Sequence, residues 1–232
     1  MFAGLRLRYP AAMCGRFAIF SPVQQLIAAF GLSAAPDELP PRYNAAPGQR
    51  LPVVVASGAE RRCGLMRWGL VPSWADDPEI GKRMINARAE TLSEKPSFKN
   101  ALRRRRCLVP ADGFYEWKKS GGAKVPHYLA LRAGGPMALA GLWERWDGAD
   151  APLYTFTIVT TAPNAVVAAL HRRMPVILAR ECWDRWLGDP PPAPEELSEL
   201  LGPAPDDWLQ AHPVSRAVNS PAADGPELIE PV

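Results

Sequence analysis

The sequence is poor in histidine and in patterned cysteine. It has three histidines, and its four cysteines form no C-x-x-C pair and no regular spacing; they are Cys14, Cys63, Cys107 and Cys182. Zinc sites and the disulfide frameworks of small secreted proteins both need such patterns. The sequence therefore predicts no metal site and no cofactor. Cysteines kept reduced in the cytoplasm are the simplest interpretation.

Long apolar runs are also absent. No segment approaches the roughly 20 residues that a helix needs to span a bilayer. Residues 1–12 carry two arginines and no acid, but they lack the apolar stretch of a signal peptide. We therefore expect no membrane association. We interpret residues 1–13 as a leader or as a start site assigned too far upstream, absent from a mature chain that begins at Cys14.

Neither an internal repeat nor a βαβ rhythm is present, and the 26 prolines are dispersed rather than gathered into a linker. This argues for one α+β domain of residues 14–232 with a largely antiparallel core. Short segments rich in β-branched or aromatic residues predict the strands. They are Leu51–Ala56, Leu65–Val71, Tyr128–Arg132, Met137–Trp143, Tyr154–Thr160 and Val176–Leu178.

Three segments predict helices. The first begins with Ser21 as a candidate N-cap and Pro22 in the first turn, continues with apolar residues at helical spacing, and ends at Gly31. The other two, Glu181–Leu187 and Pro194–Leu201, flank a proline-rich loop. The prediction is a β core with peripheral helices.

Positive charge is concentrated in the first half of the chain. Residues 1–120 hold 19 Lys and Arg against 10 Asp and Glu, whereas residues 121–232 hold 8 against 14. An evenly solvated surface does not need this division, so the first half is a candidate surface for a polyanionic partner. The run Arg103–Arg106 is either a clamp for a phosphate backbone or an ordinary solvated face.

Polar residues recur in segments whose neighbours look buried or tightly turned. These segments are Cys14-Gly15-Arg16-Phe17, Arg42-Tyr43-Asn44, Trp68-Gly69-Leu70-Val71-Pro72 with Trp74, Ile85-Asn86-Ala87-Arg88-Ala89-Glu90, Ala111-Asp112-Gly113-Phe114-Tyr115-Glu116-Trp117, Leu170-His171-Arg172-Arg173-Met174-Pro175 and His212-Pro213-Val214-Ser215. In this order and at these separations they resemble the SOS-response-associated peptidase (SRAP) family, also called abasic-site processing proteins, from Met13 to Val232. The resemblance implies a barrel-like β core. It also implies a monomer that binds abasic sites in single-stranded DNA.

The resemblance implies a covalent thiazolidine crosslink between Cys14 and the lesion. An N-terminal cysteine suits this chemistry because one residue carries an α-amine, with a reference pKa of about 7.7–8.0, and a thiol. The amine forms an imine with the ring-opened aldehyde, and the thiol closes on the imine carbon. Cys14 is not the first residue of the sequence, so the amine must be exposed by initiation at Met13, by a protease, or by self-cleavage. A small buried apolar residue is the ordinary alternative.

Three further residues are candidate catalytic groups. Glu116 lies between aromatic residues, a setting that raises a carboxyl pKa, and the resemblance implies that it transfers protons during imine formation. His171 has an unperturbed pKa near 6.5, which suits proton exchange with the ring-opened sugar hydroxyl. By resemblance, Asn86 holds the Cys14 terminus and the sugar. Structural roles in a strand, a core or a turn are the alternatives.

A second group is expected to bind DNA. Arg16 and Arg88 suit phosphate binding through bidentate geometry. Trp68 and Trp74 could stack where the base is missing, although tryptophan in a strand is usually a core residue. By resemblance, Asn44 and Ser215 complete the set. Structural ion pairs are the alternative for the two arginines.

Two other functions fit the same residues. An N-terminal-nucleophile peptidase or amidase could use Cys14, His171 and Glu116 as a triad on a separate substrate, and it would turn over. A non-covalent single-strand-binding protein would rely on the basic first half and the tryptophans. It would bind abasic DNA equally well after Cys14→Ala.

Overall fold

A computed structural model describes residues 14–148 and 150–232 of the chain. The predicted leader, residues 1–13, lies outside the described residues. The strands are β1 (Phe17–Ile19), β2 (Leu32–Ala34), β3 (Arg42–Ala45), β4 (Arg50–Ser57), β5 (Glu60–Trp68), β6 (Asn86–Arg88), β7 (Arg106–Ala111), β8 (Gly113–Ser120), β9 (Ala123–Leu131), β10 (Met137–Trp146), β11 (Leu153–Thr161), β12 (Met174–Pro175) and β13 (Leu209–Pro213). The α-helices are α1 (Val23–Phe30), α2 (Pro96–Arg104), α3 (Ala165–Ala168), α4 (Trp183–Leu187) and α5 (Pro194–Leu200).

Five strands close into a barrel. The order β5-β4-β7-β10-β11 is antiparallel throughout, and a parallel pairing between β11 and β5 joins the two ends. Strand β6 continues along the same edge of β11, where Asn86 is level with Ile158 and Arg88 with Thr160. Closure leaves few unpaired strand edges. The predicted α+β fold with a barrel-like, largely antiparallel core is confirmed.

A second sheet has the order β13-β9-β8-β1-β3. Its centre is the β8–β9 hairpin, and β1 pairs with the first residues of β8. Phe17, Phe114 and Leu129 pack from this sheet into the main core with the barrel residues. The sheet therefore holds residue 14, which directly precedes β1, next to the middle of β8.

The first predicted helix is present, but its N-terminus differs from the prediction. Helix α1 begins at Val23 with Pro22 in the cap position, and no side chain caps it. The Ser21 hydroxyl donates to the buried carboxylate of Asp112, which also accepts from the Ser21 backbone nitrogen at 2.8 Å. Gly31 ends the helix with φ 62°, the left-handed conformation that glycine tolerates.

The predicted strands are found with shifted bounds. The Leu65–Val71 segment is the end of a strand that begins at Glu60, and the Tyr128–Arg132 segment is the end of one that begins at Ala123. Val176–Leu178 is not a regular strand; β12 precedes it, and Ile177 makes a single bridge to Leu139. Within the described residues, no helix is long and apolar enough to cross a membrane.

Candidate active site

One carboxylate oxygen contacts both functional atoms of Cys14. Glu116 Oε1 lies 3.0 Å from the backbone nitrogen of Cys14 and 3.0 Å from its Sγ. Both are donors to the same acceptor. Cys14 is 4% exposed and Glu116 is 2% exposed. In the full chain this nitrogen belongs to the peptide bond between residues 13 and 14, so the same oxygen accepts from an amide N–H and from a thiol.

Local structure explains why Glu116 is buried. Residues 113–116 of β8 are all buried, and the neighbouring Tyr115 donates its hydroxyl to the Tyr43 carbonyl at 2.6 Å. Glu116 lies across from His127 in the β8–β9 register. The His127 ring, however, interacts with the Val125 carbonyl. The carboxylate therefore points into a site with few polar neighbours, of which Cys14 is the nearest.

Burial shifts the pKa values of this pair in the same direction. Desolvation raises the pKa of Glu116, and the nearby His171 partly opposes that rise. Desolvation also raises the pKa of the Cys14 thiol, reinforced by the charge of Glu116 and opposed by Arg173. Both effects favour the protonated forms of the two groups. A raised pKa leaves the thiol in its neutral form near pH 7.

His171 lies beside this pair. Its Nδ1 is 3.9 Å from Glu116 Oε1, and the same Nδ1 accepts from the Arg173 backbone nitrogen at 3.2 Å. The same Nδ1 also lies 3.3 Å from the Arg173 carbonyl oxygen, so it contacts both a backbone donor and a backbone acceptor of Arg173. His171 follows helix α3, whose N-cap Asn164 accepts from the Val167 backbone nitrogen. The imidazole is half-buried.

Arg173 and Glu90 extend the site. Arg173 donates to both oxygens of Glu90, at 2.5 and 2.8 Å, and to the Thr160 carbonyl at 2.6 Å. Thr160 is level with Arg88, whose guanidinium is exposed and whose charge also acts on Glu90. A line of ionisable side chains thus runs from Cys14 to the exposed Arg88. Its members are Glu116, His171, Arg173 and Glu90. Asn86, half-buried, begins the strand that carries Arg88.

Arg16 and Asn44 are tied to the C-terminal segment. Arg16 donates to Asn44 Oδ1 at 2.8 Å and to the Val218 carbonyl at 2.9 Å. The Asn44 amide nitrogen donates to three carbonyls, those of Val218, Ser220 and Ala223. Asn44 is 1% exposed, and both its amide oxygen and its amide nitrogen are hydrogen-bonded. It therefore holds the C-terminal segment in place and does not lie on a surface that DNA could reach. Arg16 remains partly accessible.

The two candidate tryptophans occupy different environments. Trp68 is 1% exposed, packs against Phe17 and Phe156, and donates its indole N–H to the Ile85 carbonyl. It is a core residue, and stacking on DNA would require it to leave the core. Trp74 is 56% exposed. Its ring is available to a partner.

The remaining predicted residues are divided between surface and core. Ser215 caps a short 3₁₀ helix by accepting from the Ala217 backbone nitrogen at 3.2 Å. Within the arginine run, Arg106 is buried and donates to three backbone carbonyls, those of Leu102, Trp186 and Gly188. Arg105 pairs with Glu144 at 2.9 Å, whereas Arg103 and Arg104 are exposed. The run is therefore neither a uniform clamp nor a uniform solvated face.

Sequence reasoning missed Arg173 and Glu90 as parts of the site. Both lie in segments that had been singled out, Arg173 two residues after His171 and Glu90 two residues after Arg88. Their pairing depends on β6 lying beside β11, which the sequence pattern does not reveal. Within residues 14–148 and 150–232, no group of three or more metal-ligating side chains is found.

Comparison with known proteins identifies the class. The family model described as "SOS response associated peptidase (SRAP)" matches residues 13–221. This covers most of the chain, and the protein belongs to the SRAP family.

Relatives and solved structures agree with this assignment. The chain is 46% identical over 222 residues to the abasic site processing protein YoqW of Bacillus subtilis, covering 94% of this chain and 99% of YoqW. It is 33% identical over 231 residues to YedK of Escherichia coli, another abasic site processing protein, covering 95% and 100% of the two chains. A crystal structure of a protein from Bacteroides thetaiotaomicron superimposes with a TM-score of 0.85 at 28% identity, covering 94% of this chain and 100% of the other.

Proposed function

We propose that this protein captures abasic sites in single-stranded DNA through a covalent bond to Cys14, once Cys14 is the first residue of the chain. The observation that carries the proposal is the position of Glu116 Oε1, 3.0 Å from both the nitrogen and the sulfur of Cys14. The names of the relatives supply the substrate class. A single-stranded lesion is favoured because an unstacked site costs nothing to extrude.

The chemistry balances with the residues present. The amine of Cys14 adds to the aldehyde carbon, and the resulting carbinolamine loses water to give an imine. The thiol then adds to the imine carbon, and its proton passes to the imine nitrogen, which yields a thiazolidine. Glu116 is placed to accept the proton from the amine, to return one to the departing hydroxyl, and to carry the thiol proton to nitrogen. No oxidant or cofactor is consumed.

His171 and the arginines complete the proposal. His171 exchanges the proton of the sugar hydroxyl as the ring opens, and Asn86 holds the sugar beside Cys14. Arg16 and Arg88, which are accessible, bind flanking phosphates, and Trp74 stacks in the gap left by the missing base. Ser215, three residues before Val218, whose carbonyl accepts from Arg16, completes the proposed DNA-binding set. We propose that the protein acts as a monomer, because every proposed contact comes from one chain.

The same geometry supports self-cleavage before Cys14. Attack of Sγ on the preceding carbonyl would transfer the acyl group to sulfur and release the Cys14 nitrogen as an amine, and water would then hydrolyse the thioester. Glu116 Oε1 is placed to move the thiol proton to the departing nitrogen. Cys14 also has φ 45°, a left-handed conformation that is costly for a residue with a side chain.

A denaturing gel tests the crosslink. Wild-type protein mixed with single-stranded DNA carrying one abasic site should give a shifted band that survives heat and detergent, and undamaged DNA should give none. Cys14→Ser, expressed from Met13 so that removal of the initiator methionine exposes residue 14, keeps an amine but has no thiol. It should lose the durable band while still giving an adduct after borohydride reduction. Repeated turnover with release of product, or a durable band from Cys14→Ala, contradicts the proposal.

Mass spectrometry tests the self-cleavage. With Met13→Leu, which removes the internal start, the purified protein should begin at Cys14. The additional change Glu116→Gln should leave the preceding residues attached or slow their loss. If Met13→Leu protein retains its first residues and still forms the durable band, an N-terminal amine is not required and the thiazolidine mechanism is wrong.

A further inference from the structure

Helix α2 has an exposed basic side that the proposed mechanism does not use. The helix buries Phe98, Ala101 and Leu102, and it leaves cations on its outer side. We call these four residues the α2 basic face: Lys95, Lys99, Arg103 and Arg104. None of the four makes a side-chain hydrogen bond or ion pair with another residue of the described chain.

The two neighbouring arginines have structural partners, which separates them from this face. Arg105 pairs with Glu144 and lies over the Trp143 ring, 5.7 Å from its centroid. Arg106 ties the end of α2 to carbonyls near the end of α4. These contacts fix the helix on the barrel. The basic face is consequently held in place rather than carried on a mobile segment.

Helix stability does not account for all four charges. Arg103 and Arg104 lie in the last turn, where cations complement the helix dipole. Lys95 lies at the N-cap and Lys99 near the first turn, where cations oppose it. The spacings 95, 99 and 103 also place like charges four residues apart, which is unfavourable in a helix. A polyanionic partner would offset this repulsion.

The buried side of helix α2 shares a cavity with a residue that contacts the candidate site. Glu90, which binds Arg173, lines a cavity of about 390 Å³ together with Leu102 from the inner side of α2. The exposed Arg88 precedes this cavity in the chain. From residue 95 to residue 104 the helix advances about 13 Å at 1.5 Å per residue. At roughly 3.4 Å per stacked nucleotide, this length matches three to four phosphates.

We propose that the α2 basic face binds the phosphates of the DNA strand that continues beyond the abasic site, past Arg88. The inference rests on the proposed function for the identity of the partner. The site around Cys14 recognises the lesion, and α2 holds the flanking strand. The face contributes to affinity and not to the chemical step.

A salt titration with two matched double variants tests this. Lys99→Gln/Arg103→Gln removes two charges from the face. Arg132→Gln/Arg180→Gln removes two exposed charges that border a separate cavity lined by Trp183 and Trp208. Fluorescence anisotropy measures binding to single-stranded oligomers without a lesion, one of about 15 nucleotides and one of about five. Melting curves establish that both variants fold.

The α2 double variant should bind the long oligomer on the order of tenfold more weakly near 0.1 M salt, with a log–log salt slope reduced by about 1.4. The short oligomer and the control variant should show little change. Equal losses in the two variants, or no loss in either, overturn the proposal. Crosslinking of wild-type protein to a lesion is measured in parallel, so a failure of the proposed function is recognised separately.

Discussion

Glu116 and Cys14 meet through one oxygen, with the nitrogen and the sulfur of Cys14 each 3.0 Å from Glu116 Oε1. The two residues are 102 positions apart in the chain and come together only because β1 pairs with β8. In the proposed function, where Cys14 begins the chain and its nitrogen is an amine, this one acceptor serves the amine and the thiol in succession. The proposed bond-forming steps then need no second base.

Replacing Glu116 tests this role. The replacement should lower the crosslinking rate and raise the stability of the folded protein at neutral pH. Glu116→Gln should slow crosslinking by about 100-fold or more, the usual range for loss of a general acid–base group. Quenched time courses on denaturing gels at saturating DNA measure the rate, with both proteins expressed from Met13 so that each begins at Cys14. Because burial raises the pKa of Glu116 above its ordinary value of 4.5, the folded state binds that proton more tightly than the unfolded state.

The sign of the stability effect follows from that difference. Stability contributed by the protonated carboxyl is fully present below the ordinary glutamate pKa and is lost as pH rises through the raised folded pKa. Glu116→Gln cannot ionise, so it should melt at a higher temperature than wild type at neutral pH. The difference should disappear below about pH 4. A variant that is less stable at neutral pH would contradict this account.

His171 should matter for ring opening and not for imine closure. His171→Ala is expected to slow crosslinking to an ordinary abasic site by roughly 100-fold. A strand bearing an acyclic aldehyde, which has no ring to open, should react with the variant at nearly the wild-type rate. His127→Ala is the control, since that ring interacts with the Val125 carbonyl. Equal slowing on both substrates would assign His171 to another step.

Asn44 should behave as a structural residue. Its amide donates to three carbonyls of the C-terminal segment, so Asn44→Ala leaves several buried acceptors unpaired and should cost about 2–3 kcal/mol of stability. Hydrogen exchange should increase in residues 218–224, while the salt slope of DNA binding stays unchanged. Asn219→Ala is the matched control, because Asn219 is exposed and its side chain accepts from the Trp117 indole N–H at 2.7 Å. A reduced salt slope for Asn44→Ala would instead support the prediction that Asn44 binds DNA.

Replacing Trp74 should change DNA affinity, whereas replacing Trp68 should change folding stability. Trp74→Ala is expected to weaken binding to abasic single strands by about 1–3 kcal/mol with little change in Tm, and Trp74→Phe should retain part of the affinity. Trp68→Ala should instead cost about 3–5 kcal/mol of folding stability because it leaves a cavity in the core. Anisotropy and thermal melting measure the two effects. Loss of stability in Trp74→Ala would show that its ring packs against the protein.

Local patterns predicted the fold class better than the position of each side chain. Gly31 ends α1 as expected, because the left-handed cap is a property of one residue and its neighbours. Ser21 does not cap that helix, since a buried carboxylate from residue 112 binds its hydroxyl. The sequence contains no signal for a partner 91 positions away.

The same limit applies to the site. Flanking aromatics correctly indicated a buried Glu116, because both faces of β8 are covered over residues 113–116 even though adjacent side chains point to opposite faces. Trp68 and Trp74 could not be distinguished, since the burial of Trp68 depends on Phe17 and Phe156 from two other strands. The same reason explains why the sequence did not separate the buried from the exposed residues of the arginine run. Arg106 is buried because it donates to the carbonyls of Trp186 and Gly188. The sequence does not reveal which side chains are buried by residues from distant strands.

The near-complete burial of Cys14 has a consequence for its survival. Peroxides attack the thiolate form of cysteine, and exposed cysteines with low pKa values are the first to be oxidised. Cys14 is enclosed, and its pKa is raised, so diffusible oxidants meet a neutral and shielded sulfur. The proposed nucleophile is thus protected from oxidation by its own burial until a substrate reaches it.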